Sequence, residues 1–440
     1  MNILIQQIFE NREAAALPSL VESGGLPALV SGLSAVHRAN LAAALRERLG
    51  APLFVISPDD TAAENMANDL RSMLAEPVTA LTMRDFTFYP AEAASRHAEQ
   101  RRIAALYALA TDSAPVAVAS VSGLIQRTLP AETLLRAAFV VENGGSYPIE
   151  DVEDALLRCG YTRTEQVEGP GQFARRGGIL DFFSPADAEP VRMEFWGDEI
   201  DSMGRFDVST QRRGDSVDRC VILPAAETLP SLTAGGIEAL CRQIDHFAER
   251  YAKRRSSENA AAVAATLRAD ADRLRGGVLL SDADRYLPVI YPMASGADYI
   301  PQDAILILDQ PGRCAERARD YIKQLGEDLR QLQRRGQISM SADSFFLSLE
   351  GLIRRLEDFP LYMADASPWA VGPSRPRPSS AFRPSSCPPT RAAPRLRRKT
   401  CGYIGNRITG WWSWRRTRAG PRCCRSSSPI TASTRRSTRH

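Results

Sequence analysis

The spacing of apolar and polar residues changes along the chain from one region to the next, and these changes divide the chain into regions. In residues 1–144, short apolar runs are each followed by a segment whose apolar residues have helical spacing. The runs LPALVSGL, PLFVISP, VTALTM and VAVASVSGLIQ predict strands. The segments that begin at Ser34 and Asp59 predict helices, and Gly50 ends the first of them. Alternating strands and helices indicate an α/β domain with a parallel sheet.

From Ser146 the pattern changes to short β-type runs separated by Gly, Pro and Asp, which predicts a small antiparallel β-rich domain. After Pro224 helical spacing returns. Two later runs, LPVIYPM and AILILDQP, predict strands, and a long charged helix follows the second. The fold class we predict is therefore α/β: a parallel-sheet domain in two chain portions, with the small β-rich domain inserted between them.

The same boundaries give a domain division. We predict an α/β domain at residues 1–144, a small β-rich domain at 145–224, a second α/β and helical portion at 225–345, the start of a further domain at 346–366, and a disordered tail at 367–440.

Charge separates the tail from the rest of the chain. Residues 367–440 contain 16 Arg and one Lys but no Asp or Glu, which leaves 38 basic and 52 acidic side chains before Ser367, a net charge of −14. An acidic body does not present the basic face that phosphate binding needs. No apolar run approaches the roughly 20 residues that cross a bilayer. We expect a cytoplasmic protein with no membrane partner.

The tail itself shows no periodicity and is rich in Arg, Ser and Pro, so it cannot bury enough apolar surface to fold. One interpretation is an arginine-rich arm for nucleic acid. The abrupt onset, the adjacent Cys423 and Cys424 and the run WWSW favour another, which is translation of a GC-rich gene in the wrong frame. On that interpretation the chain is truncated, and the native protein is longer.

Motifs for catalysis and for metal binding are missing from the sequence. The body has four dispersed cysteines and no CxxC pair, so we expect no metal site. A phosphate-binding loop ends in Gly-Lys-Ser/Thr, but Val36, His37 and Arg38 stand in that place after Gly32. We therefore expect no catalytic residue and no nucleotide cofactor in this chain. His37 is expected to be a surface or capping residue.

The run VRMEFW, residues 191–196, predicts a two-faced strand. Alternate residues of a strand face opposite sides, so Val191, Met193 and Phe195 would fill a core. Arg192, Glu194 and Trp196 would then face solvent. Arginine and tryptophan are enriched at binding hot spots, which makes this face a candidate for partner binding. The alternative is that Trp196 packs on a neighbouring domain.

Ordered motifs around this strand reveal a resemblance. GQFARRGGILDFF, PVRMEF, DEIDS and FDVSTQRR follow one another between Gly171 and Arg213, supported by TFYPAEAASRHAEQRR upstream and YIPQDAILILDQP downstream. Residues 1 to about 366 resemble the bacterial repair families UvrB and transcription-repair coupling factor (Mfd). The missing phosphate-binding loop is typical of the second, so the chain resembles its N-terminal UvrB-homology module, with a degenerate nucleotide site.

The resemblance implies a role in transcription-coupled nucleotide excision repair. In these families Arg176, Arg192 and Trp196 match positions that contact UvrA, the third being usually Phe. Arg175 is out of phase with that face. The full-length family binds RNA polymerase and double-stranded DNA and uses ATP and Mg for translocation, but the motor domains are not in this chain, so we expect no enzymatic activity. Two alternatives stay open: a UvrB-like ATPase, and a basic DNA-binding protein acting through its tail.

Overall fold

The computed structural model describes residues 8–10, 12–89, 96–253, 260–335, 337, 340–366 and 395–398. Up to the small β domain, the elements are α1 (Arg12–Ala15), α2 (Ser19–Glu22), β1 (Ala28–Ser31), α3 (Ala35–Leu49), β2 (Leu53–Ser57), α4 (Asp60–Met73), β3 (Val78–Leu81), α5 (His97–Ala110), β4 (Val116–Ser120), α6 (Val121–Ile125) and α7 (Ala131–Ala137). The predicted ends are present, since Asp59 caps α4 and Gly50, with φ of 68°, ends α3.

The next elements are β5 (Phe139–Glu142), α8 (Ile149–Arg158), β6 (Thr162–Arg163), β7 (Gln172–Arg176), β8 (Ile179–Phe182), β9 (Val191–Trp196), β10 (Glu199–Phe206), β11 (Arg213–Ser216) and β12 (Arg219–Ile222). The chain then continues with α9 (Gly236–Ala252), α10 (Ala260–Arg275), α11 (Leu287–Ile290), β13 (Ile305–Asp309), α12 (Pro311–Arg334), α13 (Leu349–Leu356), β14 (Leu361–Asp365) and β15 (Arg395–Arg398). Four short 3₁₀ helices begin at Pro230, Ala283, Gly296 and Ala342.

A large sheet joins the two α/β portions, as the sequence predicts. Six parallel strands lie in the order β1-β14-β13-β2-β4-β3, and β15 pairs with β1 in the antiparallel direction. The strands are apolar apart from a few polar residues, mainly Ser or Asp at their carboxyl ends, because helices cover both faces. Phe54 and Ile56 of β2 enter one core, and Leu53 and Val55 enter the core on the other face.

The inserted domain contains a six-stranded sheet in the order β11-β10-β9-β8-β7-β6, which is antiparallel except for the β6–β7 pair. A separate antiparallel pair, β5 and β12, brings the two ends of the insertion together. One face of the larger sheet packs on α8 and on that pair, and its core contains Phe173, Leu180, Phe182, Val191 and Met193. The other face is the outer one.

Buried ion pairs tie the end of the insertion to the α/β body. Glu227, which follows β12, lies 3.1 Å from Arg102 Nε and 3.3 Å from Arg84 Nε, and all three side chains are almost completely buried. Arg84 also contacts Asp284, with 2.7 Å between Nη2 and Oδ1. Because these residues come from three separate parts of the chain, the network fixes where the insertion returns to the body.

The structure departs from the sequence predictions in three places. VAVASVSGLIQ was predicted as one strand, but the strand ends at Ser120 and Val121–Ile125 form a short helix. LPVIYPM was predicted as a strand, but Leu287–Ile290 form a helical turn; short apolar runs do not distinguish a strand from a buried helix by periodicity. Residues 346–366, expected to begin a further domain, include β14, which lies inside the large sheet between β1 and β13. Of the tail predicted to be disordered, the structure describes only Arg395–Arg398; the rest of that prediction lies outside the described residues.

Candidate partner-binding face

The predicted alternation along β9 is observed. Val191 and Met193 are buried in the core, and Phe195 packs partly against it. Arg192 and Glu194 point to the outer face and are half-buried, while Trp196 is exposed. The register of the sheet extends this outer face across its neighbours, because Arg192 pairs with Asp181 on β8, and Asp181 pairs with Ala174 on β7.

Asp181 is the centre of the outer face. Its side chain is only 1% exposed, and both carboxylate oxygens are bound by arginines. Arg192 donates from Nε to Oδ1 at 2.7 Å and from Nη2 to Oδ2 at 2.8 Å, a bidentate pair. Arg176 donates from Nη2 to Oδ2 at 2.7 Å. The two predicted arginines therefore meet on one carboxylate.

The sequence prediction missed Asp181, although the sequence holds a signal for it. Asp181 lies between Leu180 and Phe182, whose side chains point into the core, so strand alternation places the aspartate on the same face as Arg192. A carboxylate directly opposite an arginine on the neighbouring strand has an ion-pairing partner within reach.

Two further contacts hold the guanidinium of Arg192. Its Cζ lies 4.7 Å from the centre of the Phe206 ring, within the range of a cation–π contact. Its Nη1 lies 3.5 Å from the carbonyl oxygen of Gln211. Hydrogen bonding to Asp181 raises the pKa of Arg192 above its ordinary value. Arg192 is thus a fixed cation at neutral pH.

The turn that follows β10 supplies the Gln211 carbonyl. Asp207 accepts hydrogen bonds from Ser209 Oγ at 2.6 Å, from Thr210 N at 2.7 Å and from Thr210 Oγ1 at 2.8 Å. These bonds lower the pKa of Asp207 to about 2. Gln211 has a φ of 58°, an unusual backbone conformation for a residue with a side chain. The motif FDVSTQR therefore builds a turn that fixes one side of Arg192.

A second group of charges lies one row along the outer face. Arg213 Nη1 is 3.2 Å from Glu194 Oε1 and donates to Ser202 Oγ at 3.0 Å, while Ser202 donates to Glu194 Oε2 at 2.9 Å. Gly204 leaves room for Arg213, because a Cβ atom at Gly204 would lie 2.7 Å from Arg213 Nε. Sequence analysis singled out neither Arg213 nor Ser202.

Trp196 closes β9 and projects from the sheet. It is 84% exposed, more than any other large apolar side chain among the described residues. Gly197, with φ of 62°, makes the tight turn that follows. Within the part of the chain that the structure describes, no neighbouring domain covers Trp196.

Arg175 lies on the opposite side of the sheet, as its phase predicts. It contacts two carboxylates of α8, with 2.7 Å to Glu150 Oε1 and 2.9 Å to Glu153 Oε2. These hydrogen bonds raise the pKa of Arg175 and lower that of Glu150. Arg175 therefore joins helix to sheet and takes no part in the outer face.

The turn that resembles a degenerate phosphate-binding loop holds an internal ion pair. Arg38, on the first turns of α3, reaches Asp309 at the carboxyl end of β13, with 2.5 Å between Nε and Oδ1, and also donates to the carbonyl oxygen of Leu33 at 3.0 Å. The exposed fractions of the two side chains are 7% and 3%. His37 is exposed, and its backbone N–H donates to Ser34 Oγ at 3.4 Å.

Among the residues that the structure describes, no group of three or more His, Cys, Asp or Glu side chains is arranged to hold a metal ion. Among the described helices, none combines the length and the apolar character needed to span a membrane.

The chain is similar to two kinds of repair protein. Residues 139–227 match the family described as the UvrB interaction domain. The chain is 28% identical over 320 residues to the transcription-repair-coupling factor of Bacillus subtilis (strain 168), a match that covers 70% of this chain and 26% of that protein. With the transcription-repair-coupling factor of Escherichia coli (strain K12) it shares 30% identity over 211 residues, covering 48% and 18%.

Similarity extends to UvrABC system protein B of Thermus thermophilus, with 27% identity over 296 residues that cover 60% of this chain and 43% of that protein. The resemblance to transcription-repair-coupling factors and to UvrB that the motifs indicated is confirmed. The chain spans about a quarter of the length of the first transcription-repair-coupling factors that it matches.

Proposed function

We propose that this chain is the UvrA-recruiting module of a factor for transcription-coupled nucleotide excision repair, and that the outer face of the β domain binds UvrA. The observation that carries the proposal is the convergence of Arg176 and Arg192 on Asp181 in the same sheet face as the exposed Trp196. The match of residues 139–227 to a domain named for UvrB interaction supports it. The similarity to UvrB supports the coarser statement that the chain is a UvrB-like DNA repair factor.

The spacing of the three residues suits a single contact patch. Arg176 pairs with Ile179, and Ile179 pairs with Glu194, so Arg176 lies in the row two strands from Glu194. Trp196 lies two residues further along β9. With strands about 4.8 Å apart and about 3.3 Å per residue, the backbones of Arg176 and Trp196 are on the order of 12 Å apart. That span fits within one hot spot of an ordinary protein interface.

A longer protein containing this module would do more. We propose that such a protein displaces RNA polymerase stalled at DNA lesions by ATP-driven translocation on double-stranded DNA, in the cytoplasm, with ATP and Mg bound in domains outside this chain. The module itself would bind no cofactor and no metal and would perform no catalysis. The Arg38–Asp309 ion pair supports the proposal that the module binds no nucleotide. It pairs a cation with a carboxylate at the turn where a phosphate-binding loop would hold nucleotide.

The alternatives make different predictions. A UvrB-like ATPase requires ATP to bind at the turn after β1, so ATP should raise the melting temperature of the chain. A DNA-binding protein acting through residues 367–440 should lose its DNA affinity when they are deleted, with UvrA binding retained if the first proposal is correct. A UvrA-docking module whose body carries the function should show no stabilisation by ATP and should keep its UvrA affinity when residues 367–440 are deleted.

The decisive test is the affinity of the full chain for purified UvrA, measured by calorimetry. Arg176→Ala/Arg192→Ala should lower the affinity at least tenfold, and so should Trp196→Ala, because arginine and tryptophan dominate hot spots. Two matched controls lie in the same domain but off the face: Arg163→Ala, which removes an equally exposed, ion-paired arginine, and Leu157→Ala, which removes an exposed apolar side chain. Both should bind as the wild type does.

Circular dichroism verifies that each variant is folded. Absence of binding by the wild type, or equal binding by the wild type and the folded face variants, would overturn the proposal.

A further inference from the structure

The two arginines that bind Asp181 have different numbers of free donors. Arg192 donates from Nε and Nη2 to Asp181 and directs Nη1 to Gln211, and its Cζ lies 4.7 Å from the centre of the Phe206 ring. Its side chain is 16% exposed. Among the described residues, Arg176 donates only from Nη2, and its side chain is 52% exposed. Of the five N–H groups that each guanidinium carries, Arg176 therefore keeps four for a partner, and Arg192 keeps two on a side chain that is mostly covered.

Asp181 is committed to these arginines. Within the described ranges, its carboxylate accepts from Arg176 and Arg192 and from no other side chain or backbone group, although it is 1% exposed. A buried carboxylate without such partners would be strongly disfavoured. Its position on β8, between the strands that carry the two arginines, lets one acidic group hold both.

We propose that Asp181 is a positioning residue of the UvrA-binding face. It holds Arg192 in a fixed position. It also orients Arg176 so that the remaining N–H groups of Arg176 face the partner. The chemistry that would meet them is a carboxylate on UvrA that binds Arg176, beside an apolar pocket that takes Trp196. This inference rests on the proposed function, because it concerns how that face is organised.

A competing explanation is that Asp181 acts only through its charge. The outer face also carries Glu194, so removing either acid raises the net charge of the face by one. If charge alone mattered, both changes would strengthen binding to an acidic partner to a similar extent. If Asp181 positions the arginines, its loss weakens binding, whereas the loss of Glu194 does not.

The test compares Asp181→Asn with Glu194→Gln in the full chain. Each replacement keeps the shape and removes one negative charge from the same face. UvrA affinity is measured by calorimetry. Asp181→Asn should lower it about tenfold, the scale of one hot-spot contact. Glu194→Gln should raise it, because it removes a negative charge from the face that meets an acidic partner. Equal affinities of the two variants, both at or above the wild-type value, would overturn the inference while leaving UvrA docking intact. Absence of wild-type binding would instead remove the proposed function.

A second readout follows the arginines directly. The full chain is labelled with an arginine-selective dicarbonyl reagent, and modification is located by mass spectrometry. In the wild type, Arg176 should react several-fold faster than Arg192, and UvrA should protect Arg176. In Asp181→Asn, Arg192 should become reactive, whereas Glu194→Gln should keep the wild-type pattern. If Asp181→Asn does not fold, labelling of the wild type still tests the inference. Equal reactivity of Arg192 and Arg176 before UvrA is added would show that Asp181 does not hold Arg192 in a fixed position.

Discussion

Two aspartate–arginine sites in this molecule use the same chemistry in opposite ways. At the carboxyl end of β13, Asp309 pairs with Arg38, and both side chains are sealed from solvent. On β8 of the inserted domain, Asp181 is equally buried, but it pairs with Arg192, which is partly covered, and with Arg176, which is half exposed. At the first site both charged side chains are buried, whereas at the second site Arg176 reaches the surface.

The difference shows what burial does to an ion pair. Taking two charges out of water costs free energy that their attraction only partly returns, so a sealed pair is a weak source of stability but costly to break. A charge at the surface stays solvated, and its pairing contributes little to folding. The Asp181 site combines a buried charge with a surface charge, since its buried carboxylate binds Arg176, whose side chain stays accessible to a partner. The predictions that follow test this contrast, from the largest effect to the smallest.

The largest effect is expected at the sealed site. Arg38→Met keeps the length of the side chain but leaves Asp309 buried without its cation, which should lower the free energy of unfolding by about 3–5 kcal/mol. The double variant Arg38→Met/Asp309→Leu removes both charges and should recover most of that loss. Urea unfolding followed by circular dichroism measures both values.

Arg46→Met is the matched control for the sealed pair. Arg46 lies on the same helix, α3, pairs with the 40% exposed Glu76 and donates to the carbonyl oxygens of Gly50 and Ala51. Its loss should cost about 1–2 kcal/mol, less than that of Arg38, because Glu76 stays solvated. Loss of stability in the double variant as great as in Arg38→Met would show that packing, and not the unpaired charge, governs this site.

A smaller effect is expected for Arg192→Ala. Asp181 keeps Arg176 as a partner, so the carboxylate is not left alone as Asp309 would be. We expect a loss of about 2–3 kcal/mol from the hydrogen bonds to a charged group and from the packing on Phe206. Urea unfolding of the variant beside Arg38→Met gives the comparison. A loss larger than that of Arg38→Met would remove the distinction between the two sites.

The sequence predicted the body of the fold well because its signals are local. Helical spacing, the Asp59 cap and the Gly50 end each depend on a few neighbouring residues, and the strands of the large sheet are continuous apolar runs. LPVIYPM was predicted wrongly for the same reason, since nothing local in a short apolar run excludes a helical turn. The place of β14 in the sheet depends on contacts with β1 and β13, far away in sequence.

At the candidate site, alternation along β9 was enough to place Arg192 and Trp196 on the outer face. What could not be predicted was the centre of that face. The role of Asp181 depends on the register of three strands. The position of Arg192 also depends on a distant turn, in which the carbonyl group of Gln211 accepts from Arg192. Similarly, nothing in the spacing of Arg38 and Asp309 indicates that they meet. Pairings between distant residues become visible only when the register is known.

Arg176→Ala should change stability least among the arginine variants. Its side chain is half exposed, and Asp181 keeps its bidentate pair with Arg192, so the free energy of unfolding should fall by about 1 kcal/mol or less. The melting temperature measures this, with Arg163→Ala as an equally exposed control. If Arg176→Ala proves as destabilising as Arg192→Ala, Arg176 belongs to the buried structure and not to the face offered to a partner.

The smallest effect is expected at the turn that carries Gln211, where pH tests the support of Arg192. Hydrogen bonds lower the pKa of Asp207 to about 2 from an ordinary value of 3.8, so the folded state favours the carboxylate more than the unfolded state does. The stability that these bonds contribute is therefore present above about pH 3.8 and is lost as the pH falls towards 2. The melting temperature of the wild type minus that of Asp207→Asn should be positive at pH 5 and should shrink over that range. Asp215→Asn, whose side chain makes none of these bonds, supplies the baseline. A difference that stays constant down to pH 2 would show that the turn holds Gln211 without the charge of Asp207.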